Sequence, residues 1–345
     1  MPELRRDPVV GYWTIISTER SMRPVEIKPK ETIEERHCPF CEGKEAETTE
    51  ETIAIRKPGS SPNGPGWQVR AIKSKMPILS ADSGFDRFGI GIYDLMEGVG
   101  THELIIEHPQ HKHSLDALTV EEIKSVLQIY VQRLNELEKD PRFKYVLLFK
   151  NHGLISGAAR DVIRHTRSQL IATPVTPKRL KEELVSAKNY FERRERCVFC
   201  DILRQESKDG SRIVSENRKF FAYCPFASRS PFEMWILPKN HCADFGKLDV
   251  ADQEDLAFIL KECLTKLRMV LDDPPYNMIV HTAPYRHKKK EGYWKTIDED
   301  YHWSLQISPR LSHDAGFEWG TGIYINPTPP EDAAQLLRET HATTS

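Results

Sequence analysis

This sequence of 345 residues lacks an excess of charge of either sign. It has 49 lysine and arginine residues against 51 aspartate and glutamate residues, which gives a formal net charge of -2. A balance this even offers no electrostatic reason for binding to nucleic acid or to an anionic membrane. We therefore expect neither of these as a partner.

Long apolar runs are missing too. No stretch is long enough to span a bilayer, and the first residues have no apolar core of the kind found in a signal peptide. The chain is nevertheless 39% hydrophobic and 9% aromatic, which is enough to bury one large core or two ordinary ones. The expectation is a soluble cytoplasmic protein.

The seven cysteines are few for a chain of this length, and their odd number argues against a framework in which all of them form disulfides. Four of them form the pairs Cys38-Pro-Phe-Cys41 and Cys197-Val-Phe-Cys200. In a cytosolic chain of this size, such pairs indicate a metal site or redox chemistry. A redox role is the weaker reading, because neither pair opens a helix within a βαβ pattern.

An internal duplication is the most informative feature of the sequence. His111 comes eight residues after Glu103, and His241 comes eight residues after Glu233. Eight residues further on, Thr119 and Asp249 each precede an amphipathic stretch, and each is a good N-cap residue. These equal offsets predict two α+β units, which we place at residues 1–178 and 179–345 and call the first and second half. The charged stretch 178–196 is predicted to be a helix-like linker.

Each half also contains one strand-like segment with the same pattern. His165-Thr-Arg167-Ser-Gln169 corresponds to His302-Trp-Ser304-Leu-Gln306. Because alternate residues of a strand face the same side, the odd-numbered residues of the first segment share one face, and the even-numbered residues of the second share the equivalent face.

Two cysteines and two histidines from each half make a candidate metal site. Thiolate and imidazole ligands in sets of four suit Zn²⁺, and a closed four-ligand site is structural rather than catalytic. The sequence leaves three alternatives open: buried cysteines with no metal, Fe²⁺ in one of the sites, and His108 or His113 in place of His111. The two candidate ligand sets are Cys38, Cys41, His111, His165 and Cys197, Cys200, His241, His302.

Several longer motifs resemble those of the galactose-1-phosphate uridylyltransferase family, which has ADP-glucose phosphorylase as a close relative. They include Arg20-Ser-Met-Arg23-Pro, the stretch from Tyr93 to Glu103, the stretch from Pro225 to His241, and the stretch from Ala315 to Pro330. The resemblance implies an α+β fold of two tandem histidine-triad-like repeats. Each repeat would have an antiparallel sheet, a packed helix and a zinc knuckle. It also implies a homodimer.

The resemblance further implies nucleotidyl transfer between a nucleotide sugar and a sugar 1-phosphate, with UDP-glucose and galactose 1-phosphate as the default pair. Arg20 and Arg23 match the phosphate-contact motif of the family. Asn151 and Gly157 match its nucleotide loop, and Gln169 matches the glutamine that holds a phosphate oxygen. In the family, the second histidine of a His-x-His-x-Gln strand attacks the α-phosphorus.

This sequence departs from the family pattern at that position, which holds Arg167. A guanidinium group stays protonated and has no lone pair with which to attack phosphorus. The usual covalent intermediate therefore cannot form here, and Ser304 does not supply a histidine in the second half. Three interpretations stay open: a transferase in which Arg167 and Gln169 act on the phosphates directly, an inactive nucleotide-sugar-binding homologue, and an ADP-glucose phosphorylase-like enzyme.

Overall fold

The computed structural model describes residues 1–19, 37–157, 163–287, 294–311 and 315–342. The strands within these ranges are β1 (Glu3–Arg6), β2 (Trp13–Ile16), β3 (Glu51–Arg56), β4 (Trp67–Lys73), β5 (Arg87–Ile90), β6 (Tyr93–Met96), β7 (Thr101–Ile106), β8 (Tyr145–His152), β9 (Arg167–Thr173), β10 (Ile213–Glu216), β11 (Phe220–Tyr223), β12 (Met234–Pro238), β13 (Tyr276–His281), β14 (Ser304–Pro309) and β15 (Tyr324–Asn326). The helices are α1 (Val120–Glu138), α2 (Lys178–Arg194), α3 (Val198–Asp209), α4 (Val250–Leu271), α5 (Ile297–Asp300), α6 (Gly316–Thr321) and α7 (Pro330–Glu339).

Ten strands form one sheet whose order is a palindrome of the two halves. The order is β10-β11-β12-β14-β13-β8-β9-β7-β4-β3, and all of its pairings are antiparallel. Each half contributes five strands in the same relative order, which confirms the predicted α+β fold of two repeats. The five strands of each half join into one sheet where β8 pairs with β13. Because of this pairing, neither β8 nor β13 has an open edge of amide and carbonyl groups. The boundary at residue 178 stays a prediction.

The long helices α1 and α4 cover one face of this sheet. Thr119 caps α1 in a capping box with Glu122, and the Asp249 side chain accepts a hydrogen bond from the amide of Asp252 at the start of α4. Both predicted helices are thus confirmed, with their caps. Their apolar stripes pack on residues of the central strands such as Leu148 and Leu305, in one large buried core.

The strand register places the two glutamines of the repeat on the opposite face. One row of paired residues crosses eight strands of the sheet. Since directly paired residues point to the same side, Gln169 and Gln306 share this face, which we call the site face. They lie three strand spacings apart, or about 14 Å. The row consists of Ile72, Leu104, Gln169, Phe149, Ile279, Gln306, Trp235 and Tyr223.

Smaller elements surround the site face of the second half. Helix α2 covers most of the predicted helix-like linker, and α3 follows it directly. Cys197 is the N-cap residue of α3, so the second cysteine pair does open a helix. It follows another helix rather than a strand, however, so the redox reading is not strengthened. Strands β1, β2 and β15 form a separate small sheet. Among the described residues, every helix is too short or too polar to cross a membrane.

Candidate functional site

The first cysteine and histidine group comes together around the Cys38–Cys41 turn. The Sγ atom of Cys38 lies 3.5 Å from Nδ1 of His165, and the Sγ atom of Cys41 lies 3.5 Å from Nδ1 of His111. All four candidate ligand atoms lie within 4.8 Å of one another. The two alternative histidines, His108 and His113, are not members of this group of four. The His108 ring contacts Glu122, and the His113 ring packs edge-on against that of His111.

The second group repeats this geometry in the other half. The Sγ atom of Cys200 lies 3.4 Å from Nδ1 of His241 and 3.7 Å from Nδ1 of His302. Its two imidazole rings are 5.3 Å apart with an interplanar angle of 77°, against 5.2 Å and 80° for His111 and His165. Two groups separated by more than a hundred residues therefore have nearly the same shape.

Both groups fit a tetrahedral metal ion. Zinc bonds of about 2.3 Å to sulfur and about 2.0 Å to nitrogen place such ligand atoms about 3.5 Å apart, as the sulfur–nitrogen distances here are. Nε2 of His165 donates to the carbonyl of His108, and Nε2 of His302 donates to the carbonyl of Pro238. These bonds leave Nδ1 without a proton and aimed at the sulfurs. Burial lowers the pKa of His165 to about 4, which keeps its imidazole neutral, as a ligand must be.

Arg167 is anchored to the first cysteine turn. Its guanidinium lies over the ring of Phe40, 5.3 Å from the ring centroid, and Phe40 lies between the two cysteines of that turn. Its Nη1 donates to the carbonyl of Ile163 at 2.9 Å and to that of His165 at 3.1 Å. The position of this positive charge on the site face is thus set by the cysteine turn and by two backbone carbonyls, one of which belongs to the candidate ligand His165.

Gln169 has a partner that the sequence analysis missed. Its Oε1 lies 3.0 Å from Nε2 of His102, on the neighbouring strand β7. His102 is paired with Ile171, so its contact with Gln169 is a diagonal one across the two strands. The pairing of β7 with β9 would have predicted this contact, but the linear sequence does not give that pairing.

A buried polar network holds strand β9 from the other side. Glu107 is fully buried and accepts hydrogen bonds from Lys150 at 2.6 Å and from Tyr130 at 2.9 Å. It also accepts from Thr166 and Ser168, which flank Arg167. Burial opposes ionisation of Glu107, but the charge of Lys150 and these hydrogen bonds outweigh it, so the pKa of Glu107 is lowered. The network fixes the backbone on both sides of Arg167.

The loop after β8 is held by the second half of the chain. Nδ2 of Asn277 donates to Oδ1 of Asn151 and to the carbonyl of Ser156, each at 2.8 Å. Gly157 closes the described part of the loop with φ of 107°, in the region that favours glycine. A Cβ atom there would lie 3.2 Å from Nδ2 of Asn151. The structure therefore brings Asn151 and Gly157 together.

Three parts of the expected site lie outside the described residues. These are the two arginines Arg20 and Arg23 and the loop segment 158–162. Within the described residues, the first site consists of its part of the sheet, its cysteine turn and the start of its loop.

Comparison with known proteins agrees with this duplicated architecture. The family model described as the N-terminal domain of galactose-1-phosphate uridyl transferase matches residues 1–177, and the model of the C-terminal domain matches residues 183–307. The chain belongs to the galactose-1-phosphate uridyl transferase family. The family recognised from the sequence motifs is thereby confirmed.

Two kinds of relative stand out within the galactose-1-phosphate uridyl transferase family. The chain is 36% identical to ADP-glucose phosphorylase of Arabidopsis thaliana, over 99% of this chain and 94% of that protein. It is 28% identical to galactose-1-phosphate uridylyltransferase of Thermotoga maritima, over 99% of both. A crystal structure of the Arabidopsis thaliana phosphorylase with bound ADP-glucose superposes with a TM-score of 0.83 at 35% identity, over 99% of this chain and 100% of that one. A uridylyltransferase structure gives 0.73 at 26% identity, over 98% of this chain and 97% of that one.

Proposed function

We propose that this chain binds a nucleotide sugar on the site face of the first half and transfers the nucleoside monophosphate directly to a phosphate-bearing acceptor. The observation that carries the proposal is the placement of Arg167. The permanent positive charge of Arg167 occupies the expected nucleophile position, beside Gln169. Hydrogen bonds from Arg167 to two backbone carbonyls, and from Thr166 and Ser168 to Glu107, hold this part of the chain in place. Such a charge suits stabilisation of the phosphates during transfer, although it cannot attack phosphorus.

The proposed reaction is a single displacement. An oxygen of the acceptor phosphate attacks the α-phosphorus of the nucleotide sugar. The bond from that phosphorus to the bridging oxygen breaks, and the sugar 1-phosphate leaves with the bonding electrons. Arg167 offsets the negative charge at the phosphates, and the Gln169 amide orients one of their oxygens. With ADP-glucose and inorganic phosphate, the products are ADP and glucose 1-phosphate.

We take both cysteine and histidine groups to be zinc sites with a structural role. Their sulfur and nitrogen donors and their tetrahedral spacing suit Zn²⁺. A closed set of four protein ligands supplies rigidity and leaves no open position for substrate. The first site would hold His165 and the Cys38–Cys41 turn in place, and with them the side chain of Arg167.

For the nucleotide, similarity favours the adenylyl over the uridylyl reading. The relative named ADP-glucose phosphorylase shares 36% of its residues with this chain, against 28% for the uridylyltransferase of Thermotoga maritima. ADP-glucose with inorganic phosphate is therefore the first pair to test. UDP-glucose with galactose 1-phosphate, the default pair from the sequence, is the second.

One observation favours a second candidate function, which is binding of nucleotide sugar without turnover. The Arg167 guanidinium donates to two carbonyl groups of its own chain and packs on Phe40. These contacts would also suit a side chain that stabilises the fold and has lost its part in catalysis. A sensor or a subunit of a larger assembly would need only the binding step.

Turnover and mass measurements separate the two candidates. For wild type with ADP-glucose and phosphate, we expect ADP to form while the intact mass of the protein stays unchanged. Gln169→Ala is expected to lower kcat on the order of 10²-fold, because a group aimed at the phosphates is lost. Gln335→Ala, at an exposed position on α7, is the matched control and should leave kcat unchanged. Tight binding of the nucleotide sugar without any product, for both substrate pairs, would favour the binding protein instead.

We also infer that the protein is a homodimer, as the family resemblance implies, and that the β5–β6 hairpin takes part in the interface. A two-stranded hairpin is marginally stable by itself and needs a surface to pack on. This one is rich in exposed apolar side chains, and Ile92 at its tip is 91% exposed. The exposed large apolar side chains on and near the hairpin are Met76, Ile78, Phe85, Phe88, Ile90, Ile92, Tyr93 and Leu95.

A charge at the tip of the hairpin should weaken this dimer. Ile92→Glu is expected to raise the dimer dissociation constant at least about tenfold, because a carboxylate would be buried in an apolar contact. Analytical ultracentrifugation over a range of protein concentrations measures the change. Leu336→Glu places the same charge at an exposed position on α7 and serves as the control. A wild-type monomer, or an equal shift in both variants, would contradict the inference.

A further inference from the structure

A cavity of about 160 Å³ lies against the site face of the second half. Gln306, which lines it, is the repeat counterpart of Gln169 and lies in the same row of the sheet. Tyr12 and Tyr324 of the small sheet region, together with Arg229, enclose it from the other side. The second half therefore keeps a cavity at the place that corresponds to the transfer site of the first half.

The Tyr12 hydroxyl is the feature that indicates a ligand in this cavity. Its oxygen is buried and, among the residues that the structure describes, has no hydrogen-bond partner. An unpaired buried hydroxyl costs about 1–3 kcal/mol, so such a group calls for an acceptor that the described residues do not supply. Burial raises the pKa of Tyr12 well above its ordinary value, so the hydroxyl is protonated and available as a donor.

The charges around the cavity argue against a phosphate. The Arg229 guanidinium lies over the rings of both Tyr12 and Tyr324, 5.6 Å and 5.9 Å from their centroids. Its charge is already balanced by Glu233, which is fully buried 3.2 Å away. Three further carboxylates, those of Asp7, Glu182 and Glu183, line the cavity. A second arginine, Arg179, also lines it and donates to the Tyr324 hydroxyl at 3.1 Å. With Glu233, the carboxylates outnumber the arginines, so an anion would meet an excess of negative charge and its desolvation would not be offset.

The same lining suits a neutral ring that carries hydroxyl groups. Aromatic faces pack on the apolar faces of a ring, while carboxylate and amide groups at the edge accept and donate hydrogen bonds. A cavity of about 150 Å³ takes up benzene, so this one has room for the six ring atoms of a pyranose, whose hydroxyl groups would extend toward the open side of the cavity. We propose that the cavity of the second half binds a neutral polyhydroxylated six-membered ring, such as a pyranose sugar, at a site separate from the transfer site.

Saturation-transfer NMR with D-glucose and D-galactose as probes tests this site, since it detects binding in the millimolar range. We expect at least one sugar to bind wild type, and Tyr12→Phe to weaken that binding about tenfold, as the loss of one buried hydrogen bond would. Tyr12→Phe removes an unpaired hydroxyl, so its melting temperature should not fall. Tyr285→Phe removes a hydroxyl that lies outside the cavity and donates to the carbonyl of Leu134, and it should bind sugar as wild type does.

A second pair of measurements distinguishes sugar binding in the cavity from sugar binding at the transfer site. Gln169→Ala alters the first half only, and its sugar binding should match that of wild type. Inorganic phosphate should not displace the sugar. The proposal is overturned if neither sugar binds, if Tyr12→Phe binds as well as wild type, if Gln169→Ala abolishes binding, or if phosphate competes.

Discussion

Arg167→His is expected to accumulate a covalent nucleotidyl adduct when it is incubated with a nucleotide sugar. Strand alternation places residue 167 on the same face as Gln169, and the backbone at this position is fixed from both sides by Thr166 and Ser168 through Glu107. An imidazole placed there has the lone pair that the guanidinium lacks. We expect intact-mass spectrometry to show a gain of one nucleoside monophosphate, and kcat to rise on the order of 10²-fold.

Arg167→Gln is the matched control for this experiment. It removes the same positive charge but offers no nucleophile, so it should form no adduct and should lose whatever direct transfer the wild type has. If Arg167→His folds, binds the nucleotide sugar and still forms no adduct, then the phosphates do not sit opposite position 167. The proposed placement of the substrate would then be wrong, and the reading of the chain as a binding protein would gain support.

Loss of either metal group is expected to destabilise the protein strongly. Cys38→Ser and Cys197→Ser each remove one buried thiol group from a set of four candidate donors. Structural zinc in small domains binds with an apparent free energy of about 10–16 kcal/mol, much of which is folding free energy. We expect each substitution to lower the free energy of unfolding by more than about 4 kcal/mol, measured by urea denaturation. Metal analysis should find two zinc ions per wild-type chain and one in each variant.

Cys242→Ser is the control for these two variants. Cys242 is half-buried and donates to the carbonyl of Asp244, a bond that a serine hydroxyl can also make. Its effect should stay below about 1 kcal/mol, with both metal ions retained. An equal loss of stability in all three variants, or no metal in the wild-type protein, would show that these cysteines are ordinary buried side chains.

The repeat could be predicted from the sequence because it depends on short-range spacing. Two cysteines in one turn, a capped helix eight residues after a histidine, and alternation along a strand are all visible in the linear order. For the same reason, the helices beginning after Thr119 and Asp249 were predicted with their caps, and the four candidate ligands of each half were grouped as the structure groups them.

Contacts between distant segments could not be predicted in this way. The pairing of β8 with β13 joins two edges whose sequences carry no sign of each other. The contact of His102 with Gln169 depends on the register of β7 against β9, and the Glu107 network depends on side chains from four separate segments. Each of these follows from how the strands are arranged, which a count of residues along the chain does not determine.

The palindromic sheet also has a consequence for how the sequence of this protein evolves. Two identical subunits paired across the same seam would have to accept every substitution twice, once in each copy. Joined in one chain, the halves accept each substitution once. One half can therefore carry arginine in its strand while the other carries serine at the matching place, with the shared sheet unchanged. The seam between β8 and β13 converts a symmetric pair into two sites that can diverge.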